Sequence, residues 1–273
     1  MAKFQIVSDT HLEFRGNNFK NLIKPSAPIL LLLGDICVCG SKDDWEIYQN
    51  FITFLAPQFQ YIFHIPGNHE YYTSNKNITI GDTIPYINNK IRKFTKTFNN
   101  VFFLNNDTTR LKINKKVYVF IGTTLWSGVA LNNHKMIQSY MNDYNNIHYP
   151  NKGSKCDEKL TRKFNITDMS KLHVKAVKYI KNALKNTKPN ETVILLTHHK
   201  PYRTKPITDV LSQAYETDLF PTIIQPQSNF KLIAYGHTHT AVNHTIDNVK
   251  IVSNPKGYPS ERTGYLNNFT VMV

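Results

Sequence analysis

Five short stretches of the chain end in residues that can hold metals: DTH (9–11), GD (34–35), GNHE (67–70), THH (197–199) and GHTH (236–239). They offer the carboxylates of Asp9 and Asp35, the amide of Asn68, and the imidazoles of His11, His69, His198, His199, His237 and His239. Two carboxylates, an amide oxygen and three or four imidazoles exceed what one ion needs. They suit two first-row divalent ions that share a carboxylate. A mixed nitrogen and oxygen set without thiolate favours Mn²⁺, Fe or Zn²⁺ over Ca²⁺ or Cu⁺ and does not choose among the first three. Two such ions about 3.5 to 4 Å apart clamp a phosphoryl oxygen and acidify a bridging water. The chemistry implied is phosphoester hydrolysis.

Each stretch closes a short, continuous apolar run: KFQIVSDTH (3–11), APILLLLGDI (27–36), YIFHIPGNHE (61–70), TVILLTHHKP (192–201) and FKLIAYGHTH (230–239). Continuous apolarity marks strands covered on both faces. Ligands of open α/β sheets bind beyond the carboxyl ends of such strands, where residues more than 200 positions apart can meet. If the chain stays extended through the motifs, alternation points Asp9 and His11 the same way, and likewise His237 and His239.

The intervening segments supply the crossovers. DDWEIYQNFITFLAPQ sets Trp45, Tyr48, Phe51, Ile52 and Leu55 at helical spacing. TDMSKLHVKAVKYIKNALKN sets Met169, Leu172, Ala176, Val177, Ile180 and Leu184 on one stripe, with Thr167 or Asp168 able to cap it. Strand, helix and strand in that order predict an α/β architecture with a largely parallel core. The stretches 101–126, VNHTIDNVKIVSNP and NFTVMV predict short strands, with no helix between them, paired antiparallel on a second sheet. Weak periodicity over 127–166 reads as an insertion overhanging the site of one domain that spans 1–273.

Composition narrows the partners. Lys+Arg 33 against Asp+Glu 19 gives a net charge of +14. Most of the excess is lysine scattered among Asn and Ile, the pattern of a solvated basic surface. Nucleic acid is a partner that the charge allows, but no basic motif interleaved with aromatics supports it. The start MAKFQIVSD is unlike a signal peptide and the run PILLLLG is too short to span a bilayer, so the expectation is a cytoplasmic protein. Cys37, Cys39 and Cys156 are expected as reduced thiols, the first two on one face of a strand.

Taken together, the five motifs resemble, in order and spacing and over nearly the whole chain, the calcineurin-like metallophosphoesterase superfamily. The stretches PGNHEYY, GTTLW, MNDYNNI, YETDL and NPKGY are similar to an uncharacterised bacterial-type phosphoesterase branch of it. The resemblance implies a four-layer α-β-β-α sandwich of two mixed sheets flanked by helices. It implies that Asp9, His11 and His239 hold one metal, that Asp35 bridges, and that Asn68, His198 and His237 hold the other. His69 is then the imidazole that contacts phosphate and protonates the leaving oxygen. Many members extend the second motif to Gly-Asp-x-x-Asp, whereas Val38 stands at its last position here.

Of the THH pair, His198 is taken as the ligand and His199 is placed near the substrate or behind the ligands. Arg203 is expected as a phosphate contact, with a solvated loop arginine as the alternative, and Tyr72 as a pocket wall, with packing as the alternative. His64, inside a strand, reads as a structural histidine. The function expected is a dinuclear phosphohydrolase in which a metal-bound hydroxide attacks phosphorus, most simply a phosphodiesterase on a small nucleotide or related diester. The rivals are a phosphomonoesterase or protein phosphatase and a nuclease. A non-catalytic scaffold fits least, because the ligand set is intact.

Overall fold

The fold is that of a computed structural model, which describes residues 1–151, 160–203, 209–224 and 228–273. In chain order the strands are β1 (Lys3–Val7), β2 (Ile29–Leu33), β3 (Tyr61–Ile65), β4 (Val101–Phe103), β5 (Asp107–Ile113), β6 (Lys116–Thr123), β7 (His148–Pro150), β8 (Thr161–Lys163), β9 (Glu191–Thr197), β10 (Phe230–Ala234), β11 (Val242–Ile246), β12 (Val249–Ser253) and β13 (Thr270–Met272). The α-helices are α1 (Lys42–Leu55), α2 (Ile84–Thr95), α3 (His134–Tyr140), α4 (Asp143–Asn146) and α5 (Ile166–Lys185).

Two mixed sheets stack face to face. One runs β13-β1-β2-β3-β4, with β1 to β4 parallel and β13 antiparallel at its edge. The other runs β11-β12-β10-β9-β6-β5, parallel from β12 to β6 and antiparallel at both edges. Side chains from both inner faces, among them Phe4, Leu31, Phe63, Phe120, Ile194 and Leu232, form one buried cluster. Phe63 and Phe120 stack across it at 3.8 Å between ring centroids. A second cluster buries the apolar faces of α1 and α2 on the first sheet, and a third buries α5 on the second. The layers are therefore helix, sheet, sheet, helix, and every central strand is covered on both faces. That is why their sequences are continuously apolar.

Several expectations need correction. β4 does not join the second sheet: α2 crosses over after β3 and delivers β4 parallel to it, Ile62 opposite Val101. The apolar set Ile84, Ile87 and Ile91 drives this helix, behind a proline in its first turn. β13 likewise pairs with β1. The cap of α5 is Asn165, whose side chain accepts the Asp168 N–H while Asp168 reaches back to the Asn165 N–H. Cys37 and Cys39 are buried free thiols in the loop after β2, not strand residues. Cys156 lies outside the described residues. No helix among the described residues is long and apolar enough to cross a membrane.

Candidate metal centre

The backbone at the strand mouths is unusual. Asp9, His11, Asp35, His237 and His239 all have positive φ, between 45° and 68°. Side-chain-bearing residues seldom adopt this left-handed region, and Asp and His do so more readily than most. The expected alternation is therefore not what aligns Asp9 with His11 and His237 with His239. The strands end at Val7 and Ala234, and left-handed turns bring each pair around.

Such backbone persists only where its surroundings fix it. Here the site residues fix one another. Asp9 Oδ1 accepts the His237 N–H at 2.9 Å, and Asp35 Oδ1 accepts the His69 N–H at 2.8 Å. The buried Glu70 carboxylate accepts three N–H groups, from Asp35 (3.0 Å), Ile36 (2.7 Å) and Gly67 (2.5 Å), and so ties the GD loop to the GNHE loop. The two loops approach so closely that a Cβ on Gly67 would strike the Asp35 carboxylate and the His198 ring.

Of three donor groups among the described residues, one joins His11, Glu13 and His69, and two fall on the expected metal ligands. Asp9, His11 and His239 each present one ligand atom within 4.8 Å of the others, and so do Asp35, His198 and His237. Asp35 Oδ2 lies between the groups, 3.3 Å from His198 Nε2 and 3.9 Å from His11 Nε2. The outward nitrogens are tied down. His11 Nδ1 bonds Glu13 at 3.0 Å, His239 Nδ1 bonds Glu261 at 2.6 Å, and His198 Nδ1 donates to the Leu33 carbonyl at 2.8 Å. These partners turn the Nε2 lone pairs inward, as they do around bound metals.

The inward atoms then crowd together. His11 Nε2 and His239 Nε2 are 3.1 Å apart, and His198 Nε2 is 3.0 Å from Asn68 Oδ1. The Asn68 oxygen is identified by its other end, since Nδ2 donates to Asp143 Oδ1 at 2.8 Å. Acceptors at such separations repel unless a proton or a cation lies between them. Asp9 Oδ2 and His237 Nε2 are buried with no hydrogen-bond partner. Each of these features is what a pair of divalent cations would satisfy, so the residues fit the centre.

Charge is balanced to the same end. Burial would raise the Asp35 carboxyl, but the His198, His69 and His11 imidazoles beside it hold it well below the usual range. Burial drives the His237 and His199 rings well below their ordinary value, helped by neighbouring imidazoles, so both are neutral and His237 can ligate. His198, also buried, is instead pushed up by Asp35, and its proton is the one a cation would displace. His69 is pushed up to about 9, because the Asp35 charge and the Glu13 hydrogen bond outweigh its burial. It is an imidazolium at neutral pH. Its Nδ1 donates to Glu13 at 2.8 Å, and its Nε2, 3.1 Å from the Tyr258 hydroxyl, faces outward.

The site opens into a cavity of about 550 Å³ lined by Asp35, Asn68, His69, His237 and His239 together with Tyr72, Tyr140, Tyr215 and Tyr258. Tyr72 stacks on His69 at 4.2 Å and donates its hydroxyl to Asp143 at 2.7 Å. Two expected substrate contacts do not reach the cavity. His199 is 1% exposed, with its ring 4.0 Å from that of His237, so it stands behind the donors. Arg203 sits 3.5 Å from the Glu216 carboxylate and donates to the Glu216 carbonyl, which absorbs its charge. His64 is structural: it is buried and bonds the Tyr48 hydroxyl at 2.9 Å.

Sequence reasoning missed four residues that hold the site, Glu13, Asp143, Tyr258 and Glu261. Glu13 had a signal, two residues beyond His11, with one oxygen that here bonds both His11 and His69. Asp143 comes from the 127–166 segment, whose Tyr140, Met141 and Asn142 also line the cavity. Nothing in its spacing announces a role.

Comparison with known proteins bears on the family and the fold. Residues 2–241 match the family described as calcineurin-like phosphoesterase. An uncharacterised protein of Acanthamoeba polyphaga mimivirus is 32% identical over 97% of this chain and 94% of its own length. Among solved structures, the phosphopantetheinyl hydrolase from Mycobacterium tuberculosis superposes with a TM-score of 0.68 at 16% identity, over 94% of this chain and 90% of that one, a likeness of fold.

Proposed function

This chain belongs to the calcineurin-like phosphoesterase family and is a metallophosphoesterase, and from that premise we propose that it is a dinuclear phosphodiesterase acting on a small diester such as a nucleotide derivative. Asp9, His11 and His239 hold one divalent ion, Asn68, His198 and His237 the other, and Asp35 is shared. The observation that carries the reading is the convergence of two donor groups, with the inward nitrogens of His11 and His239 only 3.1 Å apart, beside a protonated His69.

When bound, the two ions supply Lewis acidity toward the phosphoryl oxygens and make a water acidic enough to attack phosphorus at neutral pH. The chain does the rest. Glu13 fixes the His69 ring through Nδ1, so that Nε2 carries its proton toward the leaving oxygen. Tyr258 holds that nitrogen until a substrate displaces the hydroxyl. Asp143 keeps the Asn68 oxygen aimed at the site, and Tyr72 and Tyr215 shelter it from solvent.

Diester is favoured over monoester and nucleic acid by what the cavity lacks. In a chain of net charge +14, none of the described residues lining it is Lys or Arg. Beyond His69 and the ions themselves, a monoester dianion or a polyanionic strand would be expected to meet further cationic side chains. The test is a paired assay of Mn²⁺-reloaded protein on a chromogenic diester and the matching monoester. The diester should turn over faster, Asp35→Asn should abolish turnover and lower the bound metal, and His69→Ala should cost about 10² to 10⁴ in rate. Faster monoester turnover, or an active His69→Ala, would overturn the reading.

A further inference from the structure

His69 lines two cavities. Beyond the metal-facing one lies a second of about 560 Å³, whose walls include Phe14, Val38, Asp44 and Thr73. His69, Tyr72, Asn142 and Tyr258 belong to both. Their stacked and hydrogen-bonded rings form a partition with the proton donor in it. The second cavity includes none of the seven residues assigned to the metals, so a group lying in it is separated from the centre by the partition that holds His69. Two cavities of nearly equal size that share a proton donor suit a phosphorus atom with two substantial substituents.

We propose that the Phe14 and Val38 cavity receives the departing alcohol of the diester and selects an uncharged alcohol with an aromatic or apolar body. This rests on the reading of His69 as the proton donor. The bond from phosphorus to the departing oxygen breaks with its electron pair left on oxygen, and that oxygen takes the His69 Nε2 proton. Water supplies the new oxygen on phosphorus, and the products are a monoester and a free alcohol.

The walls set the selectivity. Among the described residues no Lys or Arg lines it, and the one cation, His69 on the shared wall, is already paired with Glu13, whereas Asp44 adds a further carboxylate, so an anionic alcohol is disfavoured. Phe14 is 58% exposed, set edge-on to Tyr258 at 5.6 Å, a large ring with a face left for a partner. Val38 puts methyl groups in the wall at the position where the resemblance leads one to expect Asp.

The experiment compares methyl 4-nitrophenyl phosphate with its ring-carboxylated analogue, using Mn²⁺-loaded full chain and taking variant over wild-type ratios so that intrinsic reactivity cancels. Phe14→Ala should lower kcat/KM for the neutral ester about 2- to 10-fold, the worth of one ring contact, with metal content unchanged. Val38→Lys should shift the preference toward the carboxylated ester at least tenfold. If both variants scale both esters equally while turnover still requires His69, the cavity assignment is overturned and the phosphodiesterase reading stands. If wild type hydrolyses neither ester with metal bound, that reading fails. Calorimetric binding of phenyl methylphosphonate then decides the cavity: weaker binding to Phe14→Ala supports it and equal binding overturns it.

Discussion

The floor and the rim of the site are built differently. The floor consists of Asp9, His11, Asp35, Asn68, His198, His237 and His239 at strand mouths, all buried except His239. Its outward atoms are fastened and its backbone is forced into left-handed turns. The rim consists of Tyr140, Tyr215, Tyr258 and their neighbours on loops and short helices, with Tyr140 68% exposed. The floor spends conformational energy to fix where charge sits, which is what positioning phosphorus requires. The rim fixes little and presents flat amphipathic surfaces. Reaction type belongs to the first region and choice of substrate to the second, so substitutions should separate them.

The largest effect is expected where the floor has no room. Gly67→Ala forces a methyl group onto Asp35 and His198. It should abolish metal binding, seen as loss of both ions by elemental analysis, and should lower stability by several kcal/mol. A variant that kept both ions would show that the floor is looser than its contacts imply.

Asp143 tests whether the regions are separable, because it stands on the rim segment and steers a floor residue. Asp143→Ala should free the Asn68 amide to rotate and weaken one metal by about 10- to 100-fold in a chelator competition. Unchanged affinity would confine Asp143 to the rim.

The smallest effect is in stability, and it has a pH signature. Burial alone would raise the Glu13 carboxyl, yet hydrogen bonds and charges from His11 and His69 hold it at about 2, below its ordinary 4.5. A depressed carboxylate stabilises the fold above the higher value and loses that contribution as pH falls toward the lower. In metal-free protein, Glu13→Gln should therefore lower Tm by roughly 2–4 °C at neutral pH. The difference should shrink between about pH 4.5 and 2, and a difference constant with pH would mean that Glu13 is not held ionised.

The same division explains what could be read in the sequence. The five strand mouths were legible because apolar run and polar end are contiguous; they gave the α/β architecture, and the sandwich came from the family resemblance they carry. α2 was overlooked although Ile84, Ile87 and Ile91 keep helical spacing, because Pro85 and the polar Asn88, Asn89 and Lys90 interrupt the apolar set. Asp143, Tyr258 and Glu261 act through contacts with residues 22 to 189 positions away; MNDYNNI and NPKGY hold the first two, but nothing local in them indicates those contacts. Arg203 looked chemical by type and position, but Glu216 holds it, and of the two places expected for His199 burial puts it behind the ligands.

The bond from the His237 N–H to Asp9 closes over 228 residues. At about 5 to 20 residues per second, a ribosome that has made Asp9 needs roughly ten to fifty seconds more to reach His239. Throughout that interval Asp9 and His11 lack the partners that fix their turns, and the first donor group does not exist. Under the proposed ligand assignment, neither ion could be fully held before His237 and His239 are made. The time at which each newly made molecule becomes able to capture its ions is set by the last motif to emerge, GHTH.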